Sequence, residues 1–172
     1  MHVLDTERLT LRWLEPTDAE FMFELMNDPD WLQYIGDRGI RSLEDARRHI
    51  VEGPRAMCER LGFGLFLVAL RDGGTPIGAC GLLKRDWLDD VDIGFAFLPA
   101  FRGHGYAYEA AAAMVRHGRA SLGLHRIAAI VSEGNASSQR LLDKLGFRFE
   151  RMIVPPGATT AIRLYATPVE AP

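Results

Sequence analysis

The sequence predicts a mixed α/β fold around one central sheet, and three observations carry that prediction. Seven short runs read as strands and four longer ones as helices, in the order strand, two helices, three strands, helix, strand, helix, two strands. A glycine-bearing turn, Arg102-Gly103-His104-Gly105-Tyr106-Ala107, falls where the fourth strand must become the third helix. The 172 residues show no internal repeat or low-complexity linker, and 48% of them are hydrophobic, enough for one sizeable core. The whole chain, 1–172, therefore reads as a single domain.

In the first strand, 9–14, Leu9, Leu11 and Trp13 alternate with Thr10 and Arg12. Thr17-Asp18-Ala19-Glu20 has capping-box spacing, so an amphipathic helix is expected from there to about Met26. Asn27-Asp28-Pro29-Asp30 ends it, and a loop with Trp31, Tyr34, Gly36 and Gly39 is expected to follow. Ser42-Leu43-Glu44-Asp45 opens a second helix reaching about Arg60, which Pro54 must kink or divide. Residues 64–70 and 77–83 are strands joined by the turn Asp72-Gly73-Gly74. Residues 91–98 form another strand, expected near the centre of the sheet. The helix over 103–120 carries Ala107 and Ala110 to Ala113, small side chains that let it pack closely on a sheet. Residues 127–131 read as a buried strand. Asn135 caps a helix that stops at Leu145-Gly146. Two strands, 147–154 and 161–166, finish the chain.

Composition narrows the function. A formal net charge of −3 with no Lys/Arg-rich run argues against broad nucleic-acid binding, and a mildly acidic surface would suit a cationic substrate. Cys58 and Cys80 have neither ligand spacing nor a pairing pattern and read as small buried hydrophobes. The histidines His2, His49, His104, His117 and His125 form no metal motif, so no metal is expected. Asp5, Glu7 and Arg8 interrupt any signal-peptide pattern, and no apolar run reaches membrane-spanning length. The expected compartment is the cytoplasm.

The turn at Gly103 and Gly105 carries the chemistry. Glycine lets the backbone turn freely and lets a ligand approach the main chain. The first amides of the following helix have no internal partners and lie at its positive end, an arrangement that can cradle a phosphate or diphosphate. The plain alternative is a tight turn that only starts a helix. A Walker loop needs Lys-Ser/Thr after its last glycine, and Gly105 is followed by Tyr106-Ala107. A dinucleotide fingerprint needs a third glycine where Tyr108 stands.

Four segments resemble the GNAT superfamily of acyl-CoA-dependent N-acetyltransferases. They are the Arg102–Ala107 turn, the preceding strand Asp92-Ile93-Gly94-Phe95-Ala96-Phe97-Leu98 with Pro99, the run from Asn135 through Ser138 to Gly146-Phe147, and the opening Thr6-Glu7-Arg8-Leu9-Thr10-Leu11-Arg12. The opening is similar to the branch that acetylates ribosomal-protein N-termini (RimJ/RimL-like). The resemblance implies a mostly antiparallel, twisted sheet of about seven strands flanked by about four helices. It also implies a V-shaped splay between the strands at 91–98 and 126–131. It implies acetyl-CoA as cosubstrate and a primary amine as acceptor, a protein N-terminus or a small molecule such as a polyamine, aminoglycoside or amino acid. A non-catalytic acyl-CoA-binding module is the alternative of a different class. A homodimer is left open, since relatives of this kind are often dimeric.

For individual residues the resemblance implies the following. Backbone groups of Phe95, Ala96 and Phe97 would pair with the pantetheine arm like an added strand. Amides from Gly103 through His104, Gly105 and Tyr106 to Ala107 would hold the diphosphate. Arg102 would add charge there or only brace the loop. Asn135 would face the pantetheine or acetyl end, cap its helix, or do both.

Transfer from a thioester needs a neutral amine, a stabilised oxyanion and a leaving thiolate. A strand amide near 95–97 suits the second need. The glutamate and tyrosine that some relatives use correspond here to Ile130 and Leu142, which transfer no proton. Ser138 and Asp92 are the catalytic candidates. Ser138 would hydrogen-bond the leaving sulfur or be a plain helix-surface serine. Asp92 would orient substrate or relay protons, and alternation leaves open which face of the sheet it takes. Glu133 reads as a solvated loop residue and Tyr165 as core. Trp31, Tyr34, Asp37 and Arg38 would wall the acceptor pocket, with Asp37 attracting an amine, or would simply anchor their loop.

Overall fold

The computed structural model describes residues 1–169. Its strands are β1 (His2–Asp5), β2 (Leu9–Trp13), β3 (Leu65–Leu70), β4 (Pro76–Leu83), β5 (Asp92–Phe97), β6 (Ala128–Val131), β7 (Arg148–Ile153) and β8 (Ile162–Ala166). Its helices are α1 (Ala19–Met26), α2 (Pro29–Tyr34), α3 (Leu43–Ile50), α4 (Ala56–Leu61), α5 (Tyr106–Leu122) and α6 (Ala136–Lys144). The strands form one sheet in the order β1-β2-β3-β4-β5-β6-β8-β7. All neighbours are antiparallel except β5 and β6, which run parallel.

Alternation along the strands separates two cores. On one face Leu9, Leu11, Phe66, Val68, Ile77 and Leu82 pack against Ala110, Ala111 and Met114 of α5. On the other, Leu67, Ala69 and Ala79 pack against Met22, Leu25 and Met26 of α1 and Ile50 of α3. The alanines of α5 do bring it close to the sheet. A Cβ built at Gly118 would stand 2.9 Å from Leu82 Cδ1 and 3.1 Å from Ile127 Cδ1. Cys58 and Cys80 are unpaired and buried in the first core. Burial pushes the Cys58 thiol up to about 11 and the Cys80 thiol higher still.

Several elements differ from the sequence expectation. The sheet has eight strands rather than about seven. The extra one, β1, is four residues long with both ends exposed, too short for a periodic signal, and exists through its pairing with β2. Among the described residues there are six α-helices rather than four. The expected loop at Trp31 contains α2, because the residues that stop α1 also start a helix: Asp28 Oδ2 accepts the Asp30 amide at 3.1 Å and Pro29 occupies the first turn. Pro54 divides the second expected helix into α3, a π turn at Val51–Arg55, and α4. Thr17 is not a cap. Pro16–Asp18 is a 3-10 turn, and the Asp18 carboxylate accepts the Glu15 amide at 2.8 Å and pairs with Arg12 at 2.7 Å.

The parallel junction decides the site. β5 and β6 share one registered pair, Asp92↔Ala128, with the Ala128 amide donating to Val91 O at 2.9 Å. Beyond it β5 stays paired to β4 through Phe97, and β6 stays paired to β8 through Val131. The facing edges separate, and a V-shaped opening lies between them.

Candidate functional site

One wall of the opening is the unpaired edge of β5. The Leu98 amide donates to Ile77 O at 2.9 Å, and Leu98, Ala96 and Gly94 share that parity, so their backbone groups belong to the β4 ladder. Phe95 and Phe97 point theirs into the opening. The Phe97 carbonyl is taken by Arg102 Nε at 2.8 Å. That leaves the Phe95 amide and carbonyl and the Phe97 amide facing the gap. Ala96 departs from expectation: its backbone is committed to Ala79 of β4, and only its side chain belongs to the wall.

The glycine turn forms the next section. Gly103 has φ +77° and Gly105 φ +80°, left-handed values that an L side chain resists. They keep the turn out of the helix, so α5 begins at Tyr106 rather than at 103. The Glu109 amide takes the first helical carbonyl, Gly105 O, at 3.0 Å. The amides of Tyr106, Ala107 and Tyr108 come before any intrahelical acceptor. A Cβ at Gly103 would meet nothing within 4 Å, so the cavity reaches the main chain there.

The turn is held from behind by the chain's opening segment. Glu109 accepts the Arg8 amide at 2.8 Å, Arg8 Nε at 2.7 Å and Thr6 Oγ1 at 2.5 Å. Arg8 also donates to His104 O at 3.0 Å and lies 4.5 Å above the Tyr106 ring. His104 thus contributes its carbonyl as a buttress, and its imidazole is outside the cavity wall. Arg102 braces the loop. Its Nη1 donates to Asp30 and its Nη2 to Asp28, both at 2.6 Å.

The opposite wall is α6. Asn135 caps it, Oδ1 accepting the Ser138 amide at 3.2 Å. Both residues line the opening. Arg140 and Lys144, one turn apart, line the same cavity of about 780 Å³ with no ion-pair partner among the described residues. Asp28 and Asp30 also line it, but Arg102 neutralises them. The cavity therefore combines an unpaired strand edge, open helix-terminal amides and two unpaired cations. This set fits an extended amide-bearing arm ending in a diphosphate.

A second cavity, about 850 Å³, lies across the sheet edge and shares Tyr34, Phe95, Ala96, Asn135 and Ser138 with the first. Asp92 lines it and is fully buried. Its Oδ1 accepts from Arg85 Nε at 2.9 Å, and Oδ2 has no hydrogen-bond partner among the described residues. Burial raises the Asp92 carboxyl above its ordinary 3.8, with Arg85 opposing. His49 of α3 lines the same space, and burial, then the charge of Arg38, lowers its imidazole below 6.5. Ile130 and Leu142 line it without any proton to give.

Other expected residues fall elsewhere. Asp37 is fully engaged by Arg41, with Nη1 at 3.0 Å and Nη2 at 2.5 Å holding its carboxyl down to about 2, and it is outside both walls. Trp31 anchors its segment, 8% exposed, and walls both cavities as Tyr34 does. Tyr165 is core, edge-on to Phe149 at 5.8 Å. Glu133 is exposed beside Arg163 at 3.5 Å. The residues that sequence reasoning missed are Arg8, Glu109, Arg140, Lys144, His49 and Arg85. The i,i+4 spacing of Arg140 and Lys144 after a helix cap was a usable signal. Nothing local marks His49 or Arg85, which reach the site from separate segments.

Comparison with known proteins agrees with this geometry. The model of the acetyltransferase (GNAT) domain matches residues 8–148. The chain is 32% identical over 160 residues to YnaD, an uncharacterized N-acetyltransferase of Bacillus subtilis, covering 91% of this chain and 90% of that protein. A GNAT-family acetyltransferase from Bacillus anthracis superposes with a TM-score of 0.79 at 30% identity, covering 96% and 97% of the two chains. RimL, a ribosomal L7/L12 alpha-N-protein acetyltransferase in complex with coenzyme A, superposes with a TM-score of 0.83 over 98% of each chain, at 17% identity, a likeness of fold. Strand edge, glycine turn and family match converge: the chain belongs to the GNAT acetyltransferases and is an acetyl-transferring enzyme whose fold binds acetyl-CoA.

Proposed function

We propose that the protein, acting as one domain in the cytoplasm, acetylates a primary amine, a protein N-terminal amine foremost, by direct attack in a ternary complex. The observation that carries this reading is the opening between β5 and β6, which joins the two cavities at Phe95 and Ser138. Bound acetyl-CoA would supply the thioester carbonyl that the amine attacks. The Phe95 amide and carbonyl and the Phe97 amide would hold the pantetheine arm and meet negative charge developing on the carbonyl oxygen. The amides of 103–108, with Arg140 and Lys144, would hold the diphosphate.

Ser138 stands where both cavities meet and would donate to the departing sulfur. His49, neutral at pH 7, would take the amine's proton directly or through water. Asp92 would act by positioning Arg85 rather than on substrate. Much of the rate would come from orientation, which asks little of any single proton carrier. The fold shared with RimL supports a polypeptide N-terminus as acceptor.

The test is thiol release from acetyl-CoA over a panel of N-terminal peptides, amino acids, polyamines and aminoglycosides, beside the acetyl-CoA-induced rise in melting temperature. Release with at least one amine is expected, and Ser138→Ala should lower turnover by about tenfold with cofactor affinity kept. Binding without release on any amine would favour a non-catalytic module, and unchanged turnover in Ser138→Ala would remove that serine.

A further inference from the structure

We propose that the acceptor amine carries a carboxylate, which Arg38 and Arg85 recognise in the second cavity. The inference rests on the acetyl-transfer reading above and names the acceptor class for that same site.

The charges of the cavity wall carry it. Among the described residues the ionisable groups lining this space are Arg38, His49, Arg85, Asp92 and Tyr34. Asp92, the wall's one carboxylate, is taken up by Arg85, and His49 is held toward its neutral form. That leaves Arg38 as unbalanced positive charge on this wall, while the one carboxylate oxygen without a hydrogen bond among the described residues, Asp92 Oδ2, is buried beside its Arg85 counter-ion. Arg85 is fixed through Nε to Asp92, over the Trp87 ring at 5.7 Å, while its terminal Nη groups make no hydrogen bond among the described residues. A guanidinium anchored at one nitrogen and open at its fork is preorganised for a carboxylate. Arg38, exposed in the loop after α2, has no ion-pair partner among the described residues, and its neighbour Asp37 is already held by Arg41.

This local excess of positive charge opposes the chain's net charge of −3 and reverses the expectation, drawn from composition, of a cationic substrate. A polyamine or aminoglycoside would bring several ammonium groups against two guanidinium groups that share the single carboxylate of Asp92. Two sources share the required chemistry: a free amino acid, through its own carboxylate, and a polypeptide N-terminus followed by acidic side chains.

The experiment compares kcat/KM at saturating acetyl-CoA for the peptides Ser-Glu-Glu-Ala, Ser-Gln-Gln-Ala and Ser-Lys-Lys-Ala, for free serine and its carboxylate-free amide, serinamide, and for spermidine. Each peptide carries a C-terminal amide. The acidic peptide, or free serine, is expected to exceed its carboxylate-free counterpart by about tenfold, the gain of one charged hydrogen bond, with the polycationic acceptors lowest. The peptide and amino-acid arms separate the two sources. Arg38→Glu should collapse the acidic-to-neutral ratio and Arg38→Lys should keep most of it. Equal values across the charge series, or a maximum with lysine or spermidine, overturns the inference while leaving acetyl transfer intact. If no acceptor turns over, the transfer reading fails. The charge inference is then decided by calorimetric titration of the same peptides into the CoA-bound protein, where tighter binding of the acidic peptide supports it and equal binding refutes it.

Discussion

Arg102 Nη2 lies 2.6 Å from Asp28 Oδ2, and this contact ties the glycine turn to the cap of α2. The same guanidinium holds Phe97 O and Asp30, so one side chain joins strand edge, turn and helix. Asp28 is 8% exposed, and its Oδ2 also accepts the Asp30 amide as the cap of α2. Arg102→Ala should cost about 2 kcal/mol, since Asp28 becomes a nearly buried carboxylate with only its cap bond to the Asp30 amide, while Arg102 itself is part-exposed. The urea midpoint reads this. Arg102→Lys should recover little, because an ammonium cannot reach three acceptors in one plane.

The two turn glycines, Gly103 and Gly105, separate backbone strain from charge. Gly105→Ala should lose about 1 kcal/mol at φ +80° and keep a measurable acetyl-CoA-induced rise in melting temperature. Gly103→Glu should abolish that rise, because a side chain at 103, unlike one at 105 beside Arg8, has open space and adds a negative charge where the diphosphate would lie. An undiminished rise in the glutamate variant would remove the turn from the cofactor site.

The imidazole of His49 titrates below 6.5 because burial and Arg38 both disfavour its charged form. It is therefore neutral at pH 7 and protonates as the pH falls through its lowered value. The profile of kcat/KM should carry an acid limb below 6.5 that His49→Gln flattens, while the limb from the acceptor's own ammonium stays in both proteins. Identical profiles would exclude His49 as the base.

Asp92 has its carboxyl raised by burial above 3.8, so the folded state binds more protons there than the unfolded state. Stability then falls as the pH rises from 3.8 through the native value. Asp92→Asn should match or exceed the parent in urea midpoint at pH 7, with its side-chain oxygen still accepting from Arg85. The difference should shrink toward pH 4. A large loss at pH 7 would mean that the ionised pair with Arg85 outweighs its desolvation.

Local pattern was enough for much of this molecule. Alternation placed β2, apolar runs and the turn between them placed later strands, Pro54 broke the second helix, Asn135 capped α6, and paired glycines marked the turn ahead of α5. Each signal acts within a few residues through sterics or a cap bond, so it is readable without the fold. Length-limited elements escaped: β1 is four residues, and α2 hides behind the proline that ends α1. What tertiary structure alone decided is which local features meet. The single β5–β6 pair opens the edge of Phe95 and Phe97, Arg8 and Glu109 reach across about a hundred residues to brace the turn, and Arg85 finds the buried Asp92. His49, Arg38 and Arg85 come from three separate segments, and their charges acquire meaning only by meeting on the wall of one cavity. Sequence could therefore name the glycine turn as the candidate cofactor site, while the acceptor side is a property of long-range packing.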